Sequence, residues 1–334
     1  MALNLDLKDR EILYELDLDS RRPISGIAKK LRLSKQVVGY RIKKLVKEGI
    51  ISRFQAVVDT YKLGFMKYKV YISLENANKQ VTSELIEYLK NNEKTEWVAT
   101  CSGKYDIIVG YVVKEIYEFD EAIKELNNKF GQYIEKKEIA VSLGVPHWRK
   151  EYLLDNPKYA DVVFQGGKQG IKKIDEVDEK IIKLLVNNAN LPTVEIAKKL
   201  NLNPRVITYR LRKLKKDKII LFYKITLDLN KFDWIYCKAI IKFKNLTYKK
   251  YSEFFNYCNT LPNLTYLINC IGGWDVELDF EIENFNKFHE AMLMIRDKFS
   301  EIIKSYDFVI TLNEDKLGYY PGCLPPLGLT DKKV

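Results

Sequence analysis

Pro23-Ile24-Ser25-Gly26-Ile27-Ala28-Lys29-Lys30-Leu31-Arg32-Leu33-Ser34-Lys35-Gln36-Val37-Val38-Gly39-Tyr40-Arg41-Ile42-Lys43-Lys44-Leu45 is the stretch on which the reading turns. A short amphipathic helix ends at Leu31, Arg32-Leu33 turns the chain, and Ser34 is placed to cap a further helix. That helix has an apolar stripe at Val38, Ile42 and Leu45 and an otherwise basic surface. Upstream, residues 6–18 predict a helix capped by Asp6, with Ile12, Leu13 and Leu16 facing inward. Downstream, Gly49 ends the basic helix and Ile50 to Val58 reads as a strand.

The stretch occurs twice. Sliding the chain along itself by 169 residues aligns Pro23 with Pro192, Ile27-Ala28-Lys29-Lys30-Leu31 with the same five residues at 196–200, and Tyr40-Arg41 with Tyr209-Arg210. The offset persists without a gap through Cys101 and Cys270, Gly103 and Gly272, Asp106 and Asp275, and Phe130 and Phe299. The chain is therefore a tandem duplication whose unit is too long for a solenoid repeat. Helix, short helix, turn, basic helix and strand is the order of a winged helix-turn-helix, predicted over 1–62 and 174–231.

Residues 66–143 and 235–312 have another rhythm. Met66, Tyr68, Val70, Ile72 and Leu74 alternate with polar neighbours as in a half-buried strand, and the order that follows is βαββαβ, a split ferredoxin-like domain. The expected fold class is α+β, a winged helix-turn-helix plus a ferredoxin-like domain, duplicated. Residues 144–173, with Pro146, Pro157, Gly166, Gly167 and Gly170, predict an irregular linker whose apolar middle, 147–154, packs against a sheet. The tail from 313 carries no clear signal.

The 334 residues carry +11, and residues 34–53 and 203–223 hold +5 and +6 of it, so the rest of the chain is balanced. A focused excess of that kind is the footprint of a phosphate-binding surface. No run of eighteen apolar residues could cross a bilayer, and no secretory signal opens the chain, which predicts a cytoplasmic protein. Five cysteines without CxxC spacing fit reduced thiols, with no metal and no cofactor expected.

The duplicated pattern resembles the Lrp/AsnC, or feast/famine, family of regulators. In the first copy Leu5-Asp6, Asp9, Ile12, Leu16, Pro23, Ile27-Ala28, Leu33-Ser34, Arg41-Ile42, Gly49-Ile50-Ile51, Gly103 and Asp106 carry the resemblance. In the second copy Lys218 replaces the pattern's glycine and Asn203 its serine. Fusion of two copies resembles a mostly archaeal variant. The resemblance implies a transcription regulator that binds double-stranded DNA, pairs its ferredoxin-like domains, and takes an amino acid or similar effector at their interfaces.

Basic side chains on a helix can neutralise phosphates while others reach base edges. On the first basic helix the DNA-binding candidates are Lys35, Gln36, Tyr40, Arg41, Lys43, Lys44 and Lys47. On the second they are Arg205, Thr208, Tyr209, Arg210, Arg212, Lys213 and Lys216. Gln36 suits an adenine edge and Arg205 a guanine, whereas Arg41 and Arg210, one turn from the core stripe, either brace the fold or hold a phosphate. Read alone, Gly103 and Gly272 are hairpin glycines whose neighbours Asp106 and Asp275 bond their own loops. The resemblance adds effector binding by Cys101, Ser102, Gly103, Tyr105 and Asp106, and by Cys270, Gly272, Gly273, Trp274 and Asp275. Because both copies share a chain, an internal pseudo-dimer is expected, with further homo-oligomers. The rival readings are an enzyme resembling siroheme decarboxylases, disfavoured by only two histidines, His147 and His289, and an adaptor that does not bind DNA.

Overall fold

In the computed structural model the structure describes residues 5–155, 162–167 and 170–323. Each copy opens with three helices, α1 (Leu7–Leu18), α2 (Ile24–Leu31) and α3 (Lys35–Lys47), followed by strand β1 (Ile51–Val58). Asp6 caps α1 by accepting from the Asp9 N–H, and Ser34 caps α3 by accepting from the Val37 N–H. Then follow β2 (Met66–Leu74), α4 (Lys79–Asn91), β3 (Thr95–Gly103), β4 (Ile107–Val113), α5 (Ile116–Phe130), β5 (Ile134–His147) and the short β6 (Val163–Gly166). The second copy repeats the order: α6 (Glu176–Asn187), α7 (Thr193–Leu200), α8 (Pro204–Lys216), β7 (Ile220–Leu227), β8 (Ile235–Phe243), α9 (Tyr248–Cys258), β9 (Leu264–Gly272), β10 (Val276–Ile282), α10 (Phe285–Lys298) and β11 (Ile303–Leu317).

The two helical units are one body. β1 pairs antiparallel with β7, and each helix set packs on the other copy's strand: Ala56 and Val58 lie among Ile181, Leu185, Ile207 and Leu214, while Ile225 and Leu227 lie among Ile12, Leu13, Val38 and Leu45. A pseudo-two-fold governs the exchange. The Ser20 N–H donates to the Tyr223 carbonyl at 3.1 Å and its counterpart, the Ala189 N–H, to the Phe54 carbonyl at 2.8 Å. The predicted limits 1–62 and 174–231 therefore describe sequence units and not separately packed ones. Each strand finds its apolar partner face on the other copy.

The ferredoxin-like sheets also merge. In β5-β2-β4-β3 and β9-β10-β8-β11, β3 pairs with β11 and β5 with β9, and the eight strands close into a ring that leaves no free sheet edge between the halves. The ring's interior is a cluster that includes Tyr71, Trp97, Cys101, Tyr105, Cys270 and Trp274.

The linker expectation needs correction. β5 runs on to His147 instead of ending near 143, because pairing with β9 and β6 satisfies its backbone, and β6 itself lies inside the predicted irregular segment. The apolar middle divides. Trp148 packs on the second ferredoxin-like core, whereas Leu153 is buried against the first helical unit. Residues 156–161 and 168–169 of the linker lie outside the described residues. β11 likewise passes 312 to reach Leu317, and beyond it Tyr319 and Tyr320 are buried between the ring and the helical body. The rest of the predicted tail, from 324, lies outside the described residues.

Candidate DNA-reading surface and central cavity

α3 and α8 present corresponding faces. Lys35, Gln36, Tyr40, Lys43, Lys44 and Lys47 are exposed on α3, and Arg205, Tyr209, Arg212, Lys213 and Lys216 on α8, while Val38, Leu45, Ile207, Leu211 and Leu214 hold the helices in the core. Tyr40 and Tyr209 are 70% and 68% exposed, unusual for aromatic side chains that a core could take. Thr208 is half-buried, and its hydroxyl donates to the Pro204 carbonyl of its own helix at 3.0 Å.

Two candidates turn inward. The Arg41 guanidinium donates to Asp6 at 2.6 Å and Asp9 at 2.8 Å, and Arg210 donates to Asp175 at 2.7 Å and Asp178 at 2.8 Å. Each ties the basic helix to the N-terminal turn of the first helix in its unit, which is the bracing arrangement of the two that the sequence leaves open. The hydrogen bond from Arg210 holds the Asp175 carboxyl below the ordinary carboxylate range. Arg53, part of the sequence's charge excess, is also withdrawn: it donates to the Leu317 carbonyl at 2.7 Å.

The ten effector candidates sit at the two seams of the ring. Gly103 has φ +119° where β3 meets β11, and Gly272 has φ +141° where β9 meets β5. A Cβ at Gly272 would stand 2.5 Å from the Ile139 carbonyl oxygen, so this glycine permits closure. Asp106 and Asp275 accept from the Leu74 and Phe243 N–H groups at 2.7 Å each, so these carboxylates hold the ends of β2 and β8 and not, as the hairpin reading expects, their own loops. Tyr105 and Trp274 are buried, Trp274 donating to Glu277 at 3.0 Å. Cys101 and Cys270 are free buried thiols donating to carbonyls two residues back, and burial pushes Cys101 up to about 12. Ser102, Gly103 and Gly273 form exposed tips.

Beneath the helical body, at one mouth of the ring, lies a cavity of about 100 Å³ lined by charged side chains from both copies. Lys67 bonds Glu96 at 2.8 Å, and Lys150 and the Tyr152 hydroxyl both hold Glu281. Behind them Lys69 and Lys238, equivalent under the pseudo-two-fold, both donate to Glu277, at 2.6 and 2.8 Å. Lys238 also holds Asp279. These pairs keep Glu277 and Lys238 ionised although burial opposes it. Among the described residues no group of three or more His, Cys, Asp or Glu could hold a metal ion, and no helix is long and apolar enough to cross a membrane.

The profile of winged helix-turn-helix DNA-binding domains matches residues 5–52 and 174–220. An uncharacterized HTH-type transcriptional regulator of Pyrococcus furiosus is 31% identical over 144 residues, which are 43% of this chain and 95% of that protein. The chain belongs to the Lrp/AsnC family. The HTH-type transcriptional regulator FL11 of Pyrococcus abyssi, another relative, is 31% identical over 36% of this chain and 78% of its own. As in other members, the winged helices make this protein a DNA-binding transcription regulator. The siroheme decarboxylase NirDL shares the fold over 94% of each chain, with a TM-score of 0.61 at 13% identity.

Sequence reasoning missed the cavity. It treated His147 as a linker residue, although the ring buries it, and gave no role to Lys224 or Glu314. The available signal was Glu277, Asp279 and Glu281 at alternate positions of β10, which point three carboxylates to one face of a strand buried along its whole length.

Proposed function

We propose that the chain reads DNA as an intramolecular pseudo-dimer, α3 and α8 entering successive major grooves of an asymmetric site. The observation that carries this reading is the reciprocal strand exchange, which fixes the two basic helices in one body related by the pseudo-two-fold. Lys35, Gln36 and Arg205 face bases, Thr208 lies beside them, and Tyr40, Lys43, Lys44, Lys47, Tyr209, Arg212, Lys213 and Lys216 take phosphates. Gln36 has Arg205 as its two-fold counterpart, so the half-sites differ.

The chain associates further and takes its amino-acid-like effector between chains, at the seam tips formed by Ser102–Lys104 and Ile271–Gly273. Supporting this are equivalent exposed apolar pairs beside the seams, Ile139 and Leu143 on β5 and Phe308 and Leu312 on β11, together with Ile271. The protein acts in the cytoplasm as a regulator and not as an enzyme. Its central cavity of about 100 Å³ falls well short of the roughly 300 Å³ at which pockets begin to enclose larger cofactors.

Selection of bound sequences from a random duplex pool tests the reading. Two unlike half-sites, centred about one helical turn or a multiple of it apart, are expected. Perfect palindromes would show that matching helices of two chains read the site. Binding should also weaken steeply with salt, log K falling by about 0.9 per neutralised phosphate for each unit of log salt.

A further inference from the structure

Three side chains that line the central cavity, Lys224, His147 and Glu314, have polar capacity unused among the described residues. Lys224, on β7 of the helical body, is 7% exposed, and among the described residues its ammonium donates only to the Tyr266 hydroxyl, at 2.8 Å. Unlike Lys67, Lys69, Lys150 and Lys238, it has no carboxylate within ion-pair distance among the described residues. Two of its three N–H donors are spare. His147, at the end of β5, is 2% exposed. Its Nε2 lies 3.1 Å from the Gln165 Oε1, while the Gln165 amide nitrogen donates to the Val58 carbonyl at 2.7 Å. Gln165 must then accept from Nε2–H, which leaves Nδ1 as a lone-pair acceptor, and Nδ1 is buried without a partner. Glu314, on β11, receives the Trp97 indole N–H at 3.0 Å on one oxygen and has no cation within ion-pair distance among the described residues. Glu314 is half-buried and lines the cavity.

An unpaired buried ammonium and an orphaned imidazole nitrogen are costly to leave unsatisfied. We propose that this cavity is a ligand site for a small 2-hydroxy- or 2-amino-carboxylate, its carboxylate on Lys224 and its adjacent O–H or N–H donor on His147 Nδ1. The volume suits a molecule of about four to six heavy atoms, less than the roughly 150 Å³ that takes a benzene. Burial keeps the imidazole neutral, as an acceptor must be, and Lys224 stays protonated despite its burial through the acidic groups around it. Glu314 decides between the two ligand types: ionised, it accepts an ammonium, and protonated, it leaves the site to a hydroxy acid. Lys224 and Thr226 belong to the helical body, whereas His147 and Glu314 belong to the ring. The ligand would therefore tie the DNA-reading unit to the ring from a place remote from the exposed seam tips.

The test uses the full chain labelled with ¹⁵N-histidine, which gives signals from His147 and His289 alone. Glycolate, glycine and acetate are titrated while the imidazole nitrogens and the melting temperature are followed. Glycolate or glycine should move the His147 Nδ1 signal saturably and raise the melting temperature, whichever is tighter naming the ligand type. Acetate, lacking the donor, should bind at least about tenfold more weakly. Lys224→Met, an apolar substitute of similar length, should weaken binding by about tenfold or more. His147→Gln should remove the preference over acetate. An unmoved Nδ1 signal with every probe, or unchanged affinity in Lys224→Met, would overturn the site. Neither result would bear on the seam-tip effector or on DNA recognition.

Discussion

Set side by side, the two halves agree in how they brace and exchange their elements, and they part company inside the ring. Arg41 and Arg210 make the same pair of bonds, and β1 and β7 swap places reciprocally. Yet the inward positions of β4 are Ile108, Gly110 and Val112, and those of β10 are Glu277, Asp279 and Glu281. The acids of one half neutralise lysines of both. The comparison teaches that duplication preserved the frame, whereas the divided interior made each half depend on the other.

Separating the halves is the harshest way to break that dependence. A ring closed from two first halves would bury Lys69 twice with no β10 carboxylate to meet it, and each unpaired buried charge costs about 3–5 kcal/mol. Residues 1–155 and 156–334, expressed with different tags, should therefore form a mixed complex in preference to either homodimer. Native mass spectrometry reads the three species directly. A stable homodimer or monomer of residues 1–155 would mean that the interior pairing does not specify the assembly.

A gentler cut is a single atom. Glu277→Gln leaves the shape but strips both Lys69 and Lys238 of a shared charge, and a loss of about 3–5 kcal/mol in denaturant unfolding is expected. The equivalent position tolerates change better: Ile108→Val should cost about 0.5–1.5 kcal/mol. Equal losses would show that the ion pairs are replaceable packing.

The arginine braces test the symmetric part of the comparison. Arg41→Ala and Arg210→Ala should each cost about 1.5–3 kcal/mol, the range for hydrogen bonds to charged groups, and by similar amounts. Asp175 supplies a pH signature. Its folded carboxyl titrates below the unfolded value near 3.9, so its contribution is complete above that value and disappears as pH falls through the lower one. Acid unfolding below about pH 4 should accordingly be blunted in Arg210→Ala. A variant whose stability is unchanged but whose DNA affinity falls would return the arginine to the phosphate backbone.

Much of the frame was legible in the sequence because periodicity and capping act locally. Asp6, Ser34 and Asn203 cap the helices that their positions predict, and the βαββαβ order follows from alternation along β2 and its successors. Partners distant along the chain were not legible. Nothing local in Ala56 or Val58 says that the helices they pack against begin at Glu176. The place of Arg41 one turn from the core stripe already leaves bracing open in the sequence, but Arg53 looks the same there as Lys43, and only its tertiary contact with the Leu317 carbonyl reveals that its charge is spent inside. The cavity was hidden for a related reason: Lys224, Glu314 and His147 come from three strands far apart in sequence, and closure of the ring brings them to one space.

The smallest difference between the halves is a single backbone position. Gly49 ends α3 with φ +73°, and its counterpart Lys218 holds φ +53° after α8. A residue with a Cβ pays roughly 1–2 kcal/mol in the left-handed region, a cost that glycine escapes. The second unit carries this strain in return for one more cation beside the basic helix. Lys218→Gly should therefore raise stability, by no more than about 1 kcal/mol because the glycine also frees the unfolded chain, and should lower the salt dependence of DNA binding by less than one phosphate. Gly49→Lys should act in the opposite direction on stability. A Cβ at Gly49 would meet only the tip of the Lys231 side chain, at 3.5 Å, so backbone conformation and not crowding would set its cost. Thermal unfolding of both variants decides the matter: if Lys218→Gly melts no higher than the parent, the lysine is repaid by contacts that offset its left-handed backbone, and the two units end their basic helices by different physics.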